Sequence, residues 1–176
     1  MTQAKGSPYF LKSDRLEFRH WREDDLPLAI SLWGDPDVIR FVDARSKLTE
    51  AEVKEIFEKY FALDRESGIS YWPMFLRADG EFVGCCGLRP HGDEKDIYET
   101  GFYIRSRYWR QGFAEEAARA VIRYAFETLG VKALKAGHNP KNAGSRRILE
   151  KLGFVYLRDE FYPPTGQQHP KYILER

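Results

Sequence analysis

The 176-residue sequence predicts a mixed α/β fold, a central mixed sheet with helices on both faces. Strand-like runs group early in the chain as hairpins and later join through helices. Two strand, loop and helix units follow one another in the second half. No linker or repeat interrupts the alternation, so residues 1–176 are read as one domain.

Taken in order, residues 10–19 read as a strand. Asp24 or Asp25 starts a helix through Trp33, stopped by Gly34-Asp35-Pro36. Thr49-Glu50-Ala51-Glu52 has the form of a capping box, and Val53, Ile56, Phe57, Tyr60 and Phe61 form the apolar face of the helix it opens. Residues 71–77 and 81–88 flank Ala78-Asp79-Gly80, a hairpin signal. Residues 97–104 are the next strand. In the long helix that follows, Ala114, Ala117, Ala118, Val121, Ile122, Ala125 and Leu129 recur at three- and four-residue spacing until Gly130. Residues 134–137 form a strand, Asn142 caps a second helix that ends before Gly153, and strands lie near residues 155–161 and 172–174.

Composition narrows the function classes. A chain of this length buries roughly 70% of its unfolded surface, and 43% hydrophobic with 31% charged residues describes a globular domain. A net charge of +1 gives no general attraction to nucleic acid or to a membrane surface. The N-terminal stretch is polar and no apolar run reaches membrane-spanning length, so the expected location is the cytoplasm. Cys85 and Cys86 are adjacent, which fits neither a zinc site nor a disulfide framework and suits small buried hydrophobes. His20, His91, His138 and His169 are scattered, and no metal is predicted.

The loop Trp109-Arg110-Gln111-Gly112-Phe113-Ala114 carries the chemistry. It sits at a helix start, where unpaired backbone N–H groups and the positive end of the helix dipole converge on a point suited to a phosphate. Neither a Gly-x-x-x-x-Gly-Lys-Ser/Thr nor a Gly-x-Gly-x-x-Gly string occurs, which removes the main support for a kinase or dinucleotide reading. Taken alone, Gly112 also suits an ordinary turn.

Downstream, His138-Asn139-Pro140-Lys141-Asn142-Ala143-Gly144-Ser145 leads into a helix ending Glu150-Lys151-Leu152-Gly153-Phe154. The two units in this order resemble the GNAT superfamily of N-acetyltransferases, most strongly over residues 97–156. The Glu-x-Gly-Phe-Tyr-Ile strand, the Trp before the loop and the Asn-x-x-Ser helix start are most similar to the Rim-type branch, which acetylates protein N-terminal amines. The resemblance implies acetyl-CoA as cofactor. The backbone N–H groups of Gln111, Gly112, Phe113 and Ala114 would cradle its pyrophosphate. Its pantetheine arm would pair with the strand through Phe102, Tyr103 and Ile104, where that strand splays from residues 134–138.

Arg105, Arg107 and Arg110, with Lys141, Arg146 and Arg147, supply a cluster of cations for the phosphates; any one of them also suits solvated surface. Glu99 stands where the Rim-type pattern has its Glu and is the candidate base, acting directly or through water; a surface carboxylate is its other reading. Many superfamily members carry a Tyr acid where this chain has Leu149. Attention therefore shifts one helical turn back to Ser145, which in the Rim-type pattern shares the cleft. Asn142 serves equally as a helix cap or a cofactor contact.

The acceptor is an amine, either a protein or peptide N-terminus or a small molecule such as an antibiotic, polyamine or amino acid. By analogy, its groove would be walled by the first two helices, the loop between Arg89 and Asp96, and the hairpin containing Tyr162-Pro163-Pro164. A reading of another class is a noncatalytic acyl-CoA-binding module that regulates a partner. Dimers are frequent in families of this kind, so the resemblance admits a homodimer.

Overall fold

The computed structural model describes residues 7–92 and 94–176. Eight strands form one sheet in the order β1-β2-β3-β4-β5-β6-β8-β7. They are β1 (Tyr9–Lys12), β2 (Leu16–Arg19), β3 (Tyr71–Leu76), β4 (Phe82–Pro90), β5 (Ile97–Ile104), β6 (Ala133–Gly137), β7 (Val155–Tyr162) and β8 (Gln167–Glu175). Five helices accompany them: α1 (Leu26–Trp33), α2 (Pro36–Ile39), α3 (Glu50–Ser67), α4 (Phe113–Arg123) and α5 (Ala143–Lys151). Every strand pair is antiparallel except β5 and β6, which run parallel.

Helices cover both faces, as the pattern predicts. On one face, Phe113, Ala117 and Val121 of α4 and Leu149 of α5 pack on Trp72, Met74, Cys86 and Leu134. On the other, Trp33 of α1 and Val53, Phe57 and Tyr60 of α3 pack on Tyr71, Phe75, Phe82 and Cys85. Alternation along a strand sends neighbouring residues to opposite faces. Cys85 and Cys86 thus enter different cores, and both are buried, as expected of small hydrophobes.

The capping box forms as read: Thr49 Oγ1 accepts from Glu52 N, and Glu52 Oε2 accepts from Thr49 N. Three readings need correction. Residues 10–19 are two strands, because Ser13 turns the chain by exchanging hydrogen bonds with Leu16. Gly34-Asp35-Pro36 ends α1 but also starts α2, since Asp35 accepts from Asp37 N and Pro36 suits the first helical position. β8 runs well beyond residues 172–174, because pairing with both β6 and β7 holds it extended despite Pro170. Among the described residues, no helix is long and apolar enough to cross a membrane.

Candidate active site

β5 and β6 pair only over Ile97, Tyr98 and Glu99, opposite Ala133, Leu134 and Lys135. From Thr100 onward β5 keeps a sheet partner on its β4 side alone, so the two strands fork at Glu99. A cleft of about 690 Å³ occupies the fork. It is lined by β5 residues including Glu99, Phe102, Tyr103 and Ile104, by Arg110, Gly112, Phe113 and Ala114 at the start of α4, and by Asn142, Ser145 and Arg147 at the start of α5. The expected splay and most of the expected site residues therefore meet in one place. Gln111 sits in the same loop without lining the cleft.

The loop owes its shape to two left-handed residues, Arg110 at φ 60° and Gly112 at φ 81°. For Gly112 that conformation carries no Cβ penalty. Gly112 is also the first residue of the helix cap, and no side chain caps α4. The loop is fixed from behind. Arg15 donates to Gln111 O at 3.0 Å and to Glu116 Oε2 at 2.7 Å, and its guanidinium lies 4.2 Å above the Phe113 ring. Glu116 also accepts from Ser13 Oγ and Arg15 N. Burial pushes the Glu116 carboxyl up, but these donors outweigh it and hold the group below the usual carboxylate value. This latch joins residues about a hundred positions apart, as its sequence separations of 103 and 101 show. Periodicity could not have found it.

The cation cluster divides. Arg105 donates to Phe82 O, and Arg107 binds Glu81 and Tyr108, so both are spent on the β3–β4 side. Arg146 pairs with Glu150. Arg110 and Arg147 line the cleft, and Lys151 joins them while paired to Glu115. Lys141 lies outside the lining. Trp109 donates to Ile104 O at 2.8 Å, capping the end of β5 with its indole.

Asn142 Oδ1 accepts from Ser145 N at 3.1 Å, which is the cap the sequence predicts. Ser145 stands one turn from Leu149, which is buried in the core and closes that position to acid chemistry. Phe102 and Ile104 turn their side chains toward α4, whereas Tyr103 packs against Trp33 and Tyr71.

At the far end, Glu99 accepts from Arg89 Nη2 at 2.7 Å, and His91 Nδ1 stands 3.8 Å from its other oxygen. Tyr71, Tyr162 and His169 line the cleft around this pair. Burial raises the Tyr71, Tyr103 and Tyr162 phenols, so they stay protonated at neutral pH. Burial lowers the His169 imidazole, helped by the charge of Lys171. The segment after α2 walls this end: Asn139 donates to Phe41 O, and Ala44 N donates to Pro164 O in the β7–β8 turn. Beyond Glu99 and the walling segments, the sequence alone singles out no side chain as an acceptor contact. Arg89, Tyr71 and His169 stand far apart along the chain and meet only through sheet register.

Comparison with known proteins adds four findings. A family model described as an acetyltransferase (GNAT) domain matches residues 15–155. The uncharacterized protein YkkB of Bacillus subtilis (strain 168) is 30% identical over 150 residues, covering 84% of this chain and 86% of that protein. An Aspergillus fumigatus protein named FsC-acetyl coenzyme A-N(2)-transacetylase is 29% identical over 168 residues, covering 89% of this chain and 71% of its own. Among solved structures, RimL, a ribosomal alpha-N-protein acetyltransferase in complex with coenzyme A, superposes with a TM-score of 0.75 at 14% identity, covering 93% and 95% of the two chains.

Proposed function

This chain belongs to the acetyltransferase (GNAT) domain family and is an acetyl-CoA-dependent N-acetyltransferase; we propose that it acetylates a free peptide or protein α-amine by direct transfer. That acceptor is the one used by the Rim-type branch whose strand and loop motifs the chain resembles. The observation that carries the proposal is the fork itself, with Glu99 at its apex, an uncapped helix start on one wall and Ser145 on the other.

The residues present fit the cofactor. The uncapped N–H groups of Gly112, Phe113 and Ala114 suit a pyrophosphate, with Gln111 next to them in the loop, and Arg110 and Arg147 line the same cleft as phosphate partners. The unpaired edge of β5 through Phe102, Tyr103 and Ile104 suits the amides of an extended arm. Asn142, its oxygen used by the cap, keeps its amide N–H groups for a contact in the cleft. Acetyl-CoA supplies an acetyl thioester, and the amine nitrogen forms its bond to the acetyl carbon as the carbon–sulfur bond breaks.

Two protons must then move. Glu99, paired with Arg89, takes one from the amine directly or through a water. Ser145 lies in the same cleft and hydrogen-bonds the departing sulfur or a water that protonates it. Burial of both thiols suits direct transfer, since it pushes Cys85 and Cys86 away from their ionised, nucleophilic form. The protonation of the acceptor itself favours an α-amine, which needs little help from a base. An α-amine has a pKa near 8, whereas a lysine amine must lose about 3.4 units, roughly 4.6 kcal/mol, to be neutral at pH 7.

A second reading, a small-molecule amine acceptor, draws support from the name of the Aspergillus relative. The test of the mechanism is Glu99→Gln, which should lower kcat by roughly tenfold to a hundredfold with little change in the KM for acetyl-CoA. Unchanged turnover from about pH 6 to pH 9 would remove Glu99 from the reaction.

A further inference from the structure

The face of the sheet that carries Glu99 continues past the fork onto β6, β8 and β7. There Glu99 stands opposite Lys135, Gly137 opposite Lys171, and Lys171 opposite Arg158. Most charges on this face are already paired. Arg89 holds Glu99 at 2.7 Å, Lys135 holds Glu94 at 2.8 Å, and Arg158 holds Glu160 at 2.6 Å. Lys171 has no carboxylate or hydrogen-bond partner among the described residues, although it is partly buried and lines both the main cleft and a small cavity behind it shared with His91, Glu99 and Glu160.

Its place depends on a glycine. A Cβ on Gly137 would stand 2.8 Å from Lys171 Cδ and 3.1 Å from its Nζ, so the bare strand lets the lysine stem lie across β6 beside the fork. Arg89 adds capacity nearby. Its guanidinium has five N–H donors, and among the described residues only Nη2 is used, by Glu99. The cations suited to the cofactor, Arg110 and Arg147, belong to the starts of α4 and α5 instead.

We propose that Lys171, with the spare N–H groups of Arg89, binds an acidic group of the acceptor, so that the favoured acceptor is an amine carrying a carboxylate near its nitrogen. For the peptide reading this means an acidic residue just after the acetylated N-terminus; a free acidic amino acid carries the same chemistry. The inference rests on the N-acetyltransferase assignment and on Glu99 marking the acceptor end of the cleft. The charge reasoning is direct. An acceptor that arrives as an ammonium meets an uncompensated cation at Lys171, whereas one bearing its own carboxylate brings the missing partner.

The experiment compares kcat/KM for short peptides with a free N-terminus and Glu, Gln or Lys at the second, third or fourth residue, alongside free glutamate and glutamine. The wild-type enzyme should favour a Glu peptide over its Gln twin by about tenfold, mainly through KM, the scale of one charge-assisted hydrogen bond. Lys171→Glu should invert that order toward Lys peptides while leaving the KM for acetyl-CoA unchanged, and Lys171→Met should abolish the preference. Peptides acetylated without regard to charge would overturn the inference and leave the α-amine reading standing. Turnover of glutamate without any peptide would do the reverse. Should no acceptor give product, NMR titration of the CoA-loaded enzyme with N-acetyl-Ala-Glu-Ala amide and its Gln twin decides. Tighter binding of the Glu product in wild type, lost in Lys171→Met, supports the inference, and equal affinities overturn it.

Discussion

The helices α4 and α5 both begin at the cleft, yet they begin in opposite ways. At α5, Asn142 Oδ1 takes the Ser145 N–H, so the helix satisfies part of its own start. At α4, Gly112 stands at the cap with φ 81° and no side chain accepts from the first turn. The open start is instead secured at its back, where Arg15 and Ser13 grip Glu116 one turn along. A self-capped start is a structural solution, whereas an uncapped start held rigid from outside keeps its N–H groups for a ligand. Under the proposed reading the pyrophosphate would sit at α4, and α5 would position Ser145.

The sharpest way to break this contrast is Gly112→Val. A β-branched residue at positive φ is a strong outlier, and relief of that strain would turn the loop N–H groups aside. The KM for acetyl-CoA should rise by at least about tenfold, equivalent to roughly 1.4 kcal/mol of lost binding. An unchanged KM would mean that the loop is not the phosphate site.

Next in size is Glu116→Gln, which weakens the latch by about 1–2 kcal/mol and should lower Tm by several degrees. Its pH dependence follows from sign. The folded Glu116 is held below its usual value of 4.5, so its contribution is full above that value and is lost as pH falls through the folded pKa. Denaturant titrations should therefore show wild type and variant differing at neutral pH and converging in acid. A difference that persists unchanged at low pH would separate the latch from the Glu116 charge.

Asn142→Ala should cost about 1 kcal/mol of stability through the lost cap, with at most a few-fold effect on cofactor KM. A larger cofactor effect with no change in Tm would reverse the contrast and make Asn142 chiefly a ligand contact. Smallest of all is Arg107→Ala. Since Arg107 is tied to Glu81 and Tyr108 away from the cleft, the KM for acetyl-CoA should not move. A rise there would return Arg107 to the phosphate cluster.

What could be read from the sequence follows the range of the interactions involved. The α3 capping box, the hairpin at Ala78-Asp79-Gly80 and the full span of β5 all follow from residues close in the chain. A reading of residues 10–19 as one strand passes over the polar run at Ser13, where the turn bonds to Leu16 divide it. At the site, Gly112, Asn142, Glu99 and Ser145 were legible through motif and spacing. Arg15, Arg89 and Lys171 were not, because their roles arise from register between strands and from contacts between distant segments. The three-arginine cluster misled in part: adjacency in sequence placed Arg105 and Arg107 together with Arg110, while their hydrogen bonds turn them away from the cleft.

Incubation of the enzyme with acetyl-CoA and a mixed amine panel tests the central claim most directly, with thiol release followed and each product confirmed by mass. The panel holds peptides with free N-termini, N-blocked lysine peptides, polyamines and aminoglycosides. Acetyl groups are expected on free peptide α-amines and none on the blocked lysine peptides. Tight acetyl-CoA binding with no product from any amine would contradict it and point to an acyl-CoA-binding module, while product from small amines alone would discard the α-amine acceptor.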